Sequence, residues 1–272
     1  MAILTLSREF GSAGGDIGIA VALSLNYRYL DKEIFLKGIR ESGTKCEGLS
    51  RLLDLSYLSI WEKNNRFSRG IQALVRKAML GCAAGDNAVI IGRGGNFLLK
   101  DIPHVLRVRI TTPMERRIAD VMNREGLERE AAVWLIEKED RERASFVFSG
   151  YGLNWSDSGE YDIIYNTEVQ PAEVIIQEII RLLKNRDFAR NAEAQRGLEM
   201  RARVAEMHAE LMTDPRLGHP LIDMSFDGKE VVLQGILNDQ QEYRQIEDAV
   251  RRLAGDLPFR SELHWICSKS YE

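Results

Sequence analysis

Cysteine is scarce in this chain of 272 residues, and the three present, Cys46, Cys82 and Cys267, are widely spaced, with no C-x-x-C pair and no histidine at metal-ligand spacing. That argues against a disulfide framework and a zinc site. Long apolar runs are missing as well: no stretch approaches the ~20 residues needed to cross a bilayer, and the opening segment lacks a basic region and a hydrophobic run long enough for a signal peptide. Nor does either charge dominate. With 37 Lys plus Arg against 41 Asp plus Glu, the formal charge is −4, which gives no global attraction to nucleic acid or an anionic membrane. Any anion site must be local. His104, His208, His219 and His264 form no nucleophile or ligand arrangement. The expectation is a cytoplasmic protein without a membrane span and without a nucleic-acid partner.

What is present is an ordinary globular composition, 44% hydrophobic and 29% charged, in a length suited to two domains. Residues 2–7 form a short β-prone run, followed by a glycine-rich turn and by apolar residues at helical spacing over 17–25. Further strands are expected at 88–91, 105–110 and 162–165, with helical patterns between them. One helix is signalled by Thr112 as N-cap, Pro113 at the first position, Glu115 completing a capping box and Gly126 as its stop. Another follows at 127–147. A third runs from Pro171 to about Lys184, its buried face marked by Val174, Ile175, Ile179, Leu182 and Leu183. Strands alternating with helices call for a parallel sheet covered on both faces, a three-layer α/β architecture.

Around 185–196 the chain turns highly charged and the alternation ends. The expected domains are 1–185 and 199–272, joined by a charged linker at 186–198. The second reads helix 197–212, strands 221–226 and 230–237 around an Asp227-Gly228 turn, helix 241–253 and strand 260–266, a small α+β unit.

The chemistry concentrates after the first strand, in Ser7-Arg8-Glu9-Phe10-Gly11-Ser12-Ala13-Gly14-Gly15-Asp16. A glycine turn opening a helix lets backbone N–H groups converge on a phosphate at the positive end of the helix dipole. It equally suits close packing of a helix on a sheet. The Walker pattern G-x-x-x-x-G-K-[ST] is not met, because Gly15 stands where it has Lys and Asp16 where it has a hydroxyl.

This loop, together with Asp31-Lys32-Glu33-Ile34, Ile91-Gly92-Arg93-Gly94 and Tyr161-Asp162-Ile163-Ile164-Tyr165-Asn166-Thr167, resembles the cytidylate kinase-like family, a branch of the P-loop nucleoside monophosphate kinases, over about 1–185. The family reads G-S-G-G-R-E-I in the loop, so this chain departs at Ala13 and at Gly15, where a basic residue is expected. The resemblance implies ATP and Mg²⁺ as cofactors and nucleotides as substrates. It places Gly11, Ser12, Ala13, Gly14, Gly15 and Asp16 around the ATP phosphates, and Arg93 with Asp31 at the acceptor monophosphate. It also makes a phosphate-stabilising lid of the helices carrying Arg116, Arg124, Asp140, Arg141 and Arg143, in which Asp140-x-x-Arg143 matches the family's D-x-x-R. Arg8 is the nearest replacement for the missing cation, and Mg²⁺ contact falls to Asp16 or Ser12.

Plainer readings stand beside these. The helical arginines also suit a solvated face with i,i+4 pairs, Asp31 suits an N-cap for residues 32–39, and Asp16 suits a helix dipole. Arg107 and Arg109 share one side of their strand and either face an edge or approach the site, since a strand covered on both faces rarely buries two arginines unpaired. Residues 199–267 resemble a BON domain, which implies a regulatory or interaction module and leaves room for a homo-oligomer or protein partner. The function expected is ATP-dependent phosphoryl transfer to a CMP- or dCMP-like acceptor, or nucleotide sensing without turnover.

Overall fold

A computed structural model describes residues 1–41, 66–217 and 221–265; Cys46, His219, Ile266 and Cys267 lie outside the described residues. The first unit is a five-stranded sheet in the order β2-β3-β1-β4-β5, every neighbouring pair parallel. Its strands are β1 (Ile3–Arg8), β2 (Arg28–Leu30), β3 (Ala88–Ile91), β4 (Val105–Thr111) and β5 (Ile163–Asn166). β3 is buried throughout and β1 up to its last residue, the signature of strands covered on both faces. The covering helices are α1 (Gly14–Leu25), α2 (Lys32–Glu41), α3 (Arg66–Ala84), the single turn α4 (Gly95–Leu98), α5 (Met114–Glu125), α6 (Arg129–Tyr151) and α7 (Ala172–Arg186). Because β1 lies between β3 and β4, its carboxyl end opens at the point where strand order reverses, which is where such sheets form a crevice.

Two local expectations are corrected. Pro113, rather than Thr112, occupies the N-cap of α5, and no side chain caps that helix. Thr112 is drawn away because its N–H donates to Glu9 and its hydroxyl pairs with Thr167 on the far side of β4. On α7 the buried stripe is Ile175, Ile179 and Leu183 at strict i+4 spacing, while Val174 lies off it and is half exposed.

The second unit comprises α8 (Ala192–Thr213), β6 (Leu221–Phe226), β7 (Val231–Leu237), α9 (Gln240–Ala254) and β8 (Phe259–Trp265), in the expected order. β6 pairs antiparallel with β7, and β8 pairs parallel with β7. The stretch expected as a linker is helical from Ala192, because Asn191 accepts a hydrogen bond from Ala194 N–H and starts α8 early. Ile71, Leu74 and Val75 of α3 share one apolar cluster with Val204 and Leu211 of α8 and with Met224 and Leu233 of the small sheet.

Two histidines are buried in this framework. His104 lies 3.5 Å from Asp86, and His208 of α8 meets the Ile222 carbonyl at 3.3 Å. Burial lowers both pKa values, only partly offset by Asp86 and Asp223 respectively. The unfolded chain therefore binds more protons than the native one as pH falls below the ordinary value of 6.5. Their contribution is intact above that pH and is lost below it, by up to about 1.4 kcal/mol per pH unit for each group. Urea unfolding at pH 7.5, 6.5 and 5.5 should show a declining midpoint only over the acid interval; a flat profile contradicts neutral burial.

Candidate active site

The loop from Glu9 to Ala13 is held by its own side chains. Glu9 N–H donates to the Ile110 carbonyl, and the Glu9 carboxylate accepts the Thr112 N–H at 3.1 Å and lies 3.4 Å from Arg109. Ser12 is buried and donates its hydroxyl to the Glu9 carbonyl at 2.8 Å. Of the two residues expected near Mg²⁺, Asp16 is thus the exposed one, in the first turn of α1. Gly14 is required by space, since a Cβ there would stand 2.5 Å from the Cβ of Arg8. Ala13 adopts φ 58°, a left-handed conformation that glycine takes without penalty. Among the described residues nothing accepts the N–H groups of Ala13, Gly14, Gly15 and Asp16, so four consecutive amides remain for an anion.

Beside the loop, a narrow cleft of about 60 Å³ is lined by Arg8 at the end of β1, Arg93 after β3 and Arg143 of α6, with Lys32, Trp155 and Glu142 around them. The three arginines repel one another inside protein. Burial, and after it the charge of Arg143, pushes the Arg8 guanidinium down to about 10; the same two causes push Arg93 down to about 10. Arg143 is lowered by burial despite bridges to Glu139 at 3.1 Å and Asp140 at 3.4 Å. No carboxylate among the described residues forms an ion pair with Arg8 or Arg93, whose guanidinium rests on the Phe146 ring at 4.7 Å. Like charges packed this way stabilise the site only when an anion arrives between them.

The sequence-predicted residues divide accordingly. Arg8, Arg93 and Arg143 meet in the cleft. Asp140 does not line it; it accepts the Phe10 N–H at 2.8 Å and pairs with Arg117 and Arg143, fastening the loop to α6. Asp31 caps α2, accepting the N–H groups of Glu33 and Ile34, while its charge also reaches Arg8. Arg124 stays at the surface, paired with Glu125 and lying over the Phe10 ring at 5.2 Å. Arg116 and Asp120 form an exposed i,i+4 pair, and Arg141 reaches only Glu137 at 4.0 Å on the same helix face. Arg107 and Arg109 share a side as expected, and both are paired, with Asp162 and with Glu9.

Sequence reasoning missed Arg117 and Trp155, and gave Ser7 and Glu9 no role of their own within the loop motif. Trp155 donates to the Ser7 hydroxyl at 2.7 Å and lies 4.4 Å from the Arg109 guanidinium. Arg117 is one position from the arginine that the i,i+4 pattern favoured, and it is the one turned inward. Its side chain is 11% exposed, so Asp140→Ala leaves a buried guanidinium with weakened pairing. A loss of about 3 kcal/mol in denaturant unfolding is expected; an unchanged midpoint contradicts the fastening role.

The description of the cytidylate kinase-like family matches residues 3–169, which span the sheet, the loop and all three cleft arginines. The chain belongs to this family. A cytidylate kinase from Sulfurisphaera tokodaii is 27% identical over 191 residues, covering 70% of this chain and 98% of that protein. A uronate isomerase from Corynebacterium glutamicum is 29% identical over 98 residues, so the chain spans only 19% of the isomerase's length. Among solved structures, an uncharacterized protein from Eubacterium ventriosum superposes with a TM-score of 0.54 at 22% identity, over 68% of this chain and 98% of that one. That likeness is one of fold. Among the described residues no helix is long and apolar enough to cross a membrane, and no group of three metal-ligating side chains occurs.

Proposed function

We propose that this chain transfers the γ-phosphoryl group of ATP to a nucleoside monophosphate, with CMP or dCMP as the acceptor. The observation that supports it most is the buried, mutually repelling set Arg8, Arg93 and Arg143 beside four unpaired loop amides. In this reading the amides and Arg8 hold the ATP phosphates, Arg93 holds the acceptor phosphate, and Arg143 neutralises charge between the two. An oxygen of the acceptor phosphate bonds to the γ-phosphorus as the bond to the β,γ-bridging oxygen breaks, and ADP leaves. Such a reaction needs positioning and charge neutralisation more than covalent help. Mg²⁺ would supply further neutralisation of the phosphate charge, and Asp16 would hold it through water.

Gly15 favours a second reading, a nucleotide sensor that binds without turnover, because the loop lacks the cation that grips the β- and γ-phosphates in related kinases. In either case the C-terminal unit, with its BON-like order of elements, serves regulation or partner binding in the cytoplasm.

A coupled assay with Mg²⁺-ATP and CMP, dCMP, UMP or AMP tests the kinase reading, and turnover with any acceptor removes the sensor. Arg93→Ala should raise the KM for the acceptor by about 10- to 100-fold, the loss of one charge-assisted hydrogen-bonding group, with a smaller effect on ATP. Equal losses on both contradict the role given to Arg93.

A further inference from the structure

The turn that presents Arg93 is one that its own residues do not favour. Gly92, Arg93 and Gly94 take φ of 70°, 53° and 76°, and Gly95 N–H closes the turn on the Gly92 carbonyl at 3.1 Å. Turns whose two central residues are both left-handed are usually filled by glycine, asparagine or aspartate, because a Cβ resists that conformation. Here the first central residue is an arginine. Gly92 N–H donates to the Leu6 carbonyl at 2.9 Å, which ties the start of the turn to β1, but the glycines on either side leave the peptides flanking Arg93 easy to rotate. A strained residue persists only where the surrounding structure over-determines it. The hold on Arg93 therefore comes from outside the turn.

It comes from the last turns of α6. Arg143 lines the cleft beside Arg93, the Phe146 ring lies 4.7 Å from the Arg93 guanidinium, and the Tyr151 hydroxyl donates to the Arg93 carbonyl at 3.0 Å. Tyr151 is the final residue of α6, just before Gly152 ends the helix at φ 67°. Its ring stacks on Phe97 at 5.8 Å and occupies the space that a Cβ on Gly94 would need. Burial pushes the phenol above its ordinary value, so it stays protonated and remains a donor.

We propose that Tyr151 is a positioning residue: by holding the Arg93 carbonyl it keeps Arg93 in its left-handed turn, with the guanidinium aimed into the cleft. The hydrogen bond fixes the peptide plane on the carboxyl side of Arg93, and Phe146 supports the far end of the same side chain. Backbone and guanidinium are thus held by one helix, which also carries Arg143. This rests on the acceptor role given to Arg93 above, and it makes affinity for the acceptor, rather than for ATP, depend on the end of α6.

Tyr151→Phe keeps the ring and removes the hydroxyl. In the unliganded full chain this variant should shift or broaden the Arg93 Nε–H resonance, identified by its absence in Arg93→Ala. Titration calorimetry with CMP should show affinity lowered by about 3- to 10-fold, the size of one neutral hydrogen bond, with ATP affinity within about twofold of the parent. In the Arg93→Ala background the same substitution should cost no further CMP affinity, because a residue acting through Arg93 then has nothing left to position. A resonance that stays in place overturns the inference, as do equal losses of CMP and ATP affinity, or a CMP loss that adds in full to that of Arg93→Ala. A moved resonance in a chain that binds no nucleotide sustains the positioning role and refutes the kinase reading, so the two failures are distinguishable.

Discussion

Replacing Arg8 by Met should raise the melting temperature of the unliganded protein and sharply weaken nucleotide binding. In the native state the Arg8 guanidinium is held well below its ordinary value, at about 10, by burial and by Arg143 and Arg93. Folding thus works against a charge that water would favour. A methionine keeps the unbranched stem against Gly14, whose would-be Cβ lies 2.5 Å from the Arg8 Cβ, and gives up the guanidinium contact at Gly92. Removing the charge should stabilise the empty protein by on the order of 2 kcal/mol after discounting for water in the cleft, or about 4–8 °C for a chain of this size. Affinity for ATP should fall by ~100-fold or more, as expected when a buried charge-assisted contact to phosphate is lost. Differential scanning calorimetry and titration calorimetry read the two halves separately. A lower melting temperature with ATP affinity intact would make Arg8 a structural residue and not a phosphate ligand.

Gly15→Lys should increase turnover. A Cβ at Gly15 meets nothing within 4 Å, and the residue sits in the first turn of α1 with no positive φ, so a long side chain enters open space without strain. A transition-state cation in phosphoryl transfer is worth about 10³–10⁵ in rate. Arg8 already supplies part of that charge, so the expected gain in kcat is smaller, about 10- to 100-fold. The substitution also replaces a helical glycine, which favours the helix by about 0.5–1 kcal/mol. An unchanged kcat in a folded variant would mean that no phosphoryl group passes the first turn of α1. If the parent chain is inactive and the variant active, the natural protein is the sensor.

The sheet is legible in the sequence because parallel strands covered on both faces are predominantly apolar: β3 is a continuous apolar run, β1 opens as one, and β4 keeps apolar residues on one side while Arg107 and Arg109 interrupt the other. Arg8, Arg93 and Arg143 are legible as candidates for a different reason: each sits beside a glycine turn or in a spacing that resembles the family. Their convergence is not legible, since it depends on three segments brought together by the sheet order. Local charge patterns misled in the helices. Arg116, Asp120 and Arg124 form a regular i,i+4 series and stay at the surface, whereas Arg117, although Asp120 stands at i+3, turns inward to Asp140. Thr112 carries a good capping signature, yet Glu9 and Thr167 compete successfully for its polar groups. The apolar face of α3 packs on α8 and the small sheet, far along the chain, and no local periodicity announces that partner.

Phosphorus NMR of the full chain with Mg²⁺, ATP and CMP tests most directly whether the guanidinium cleft serves phosphoryl transfer. The account predicts equal growth of ADP and CDP resonances, abolished in Arg8→Met and slowed in Arg93→Ala. Spectra unchanged over hours with every nucleoside monophosphate tried, together with no calorimetric binding of any nucleotide, would contradict it.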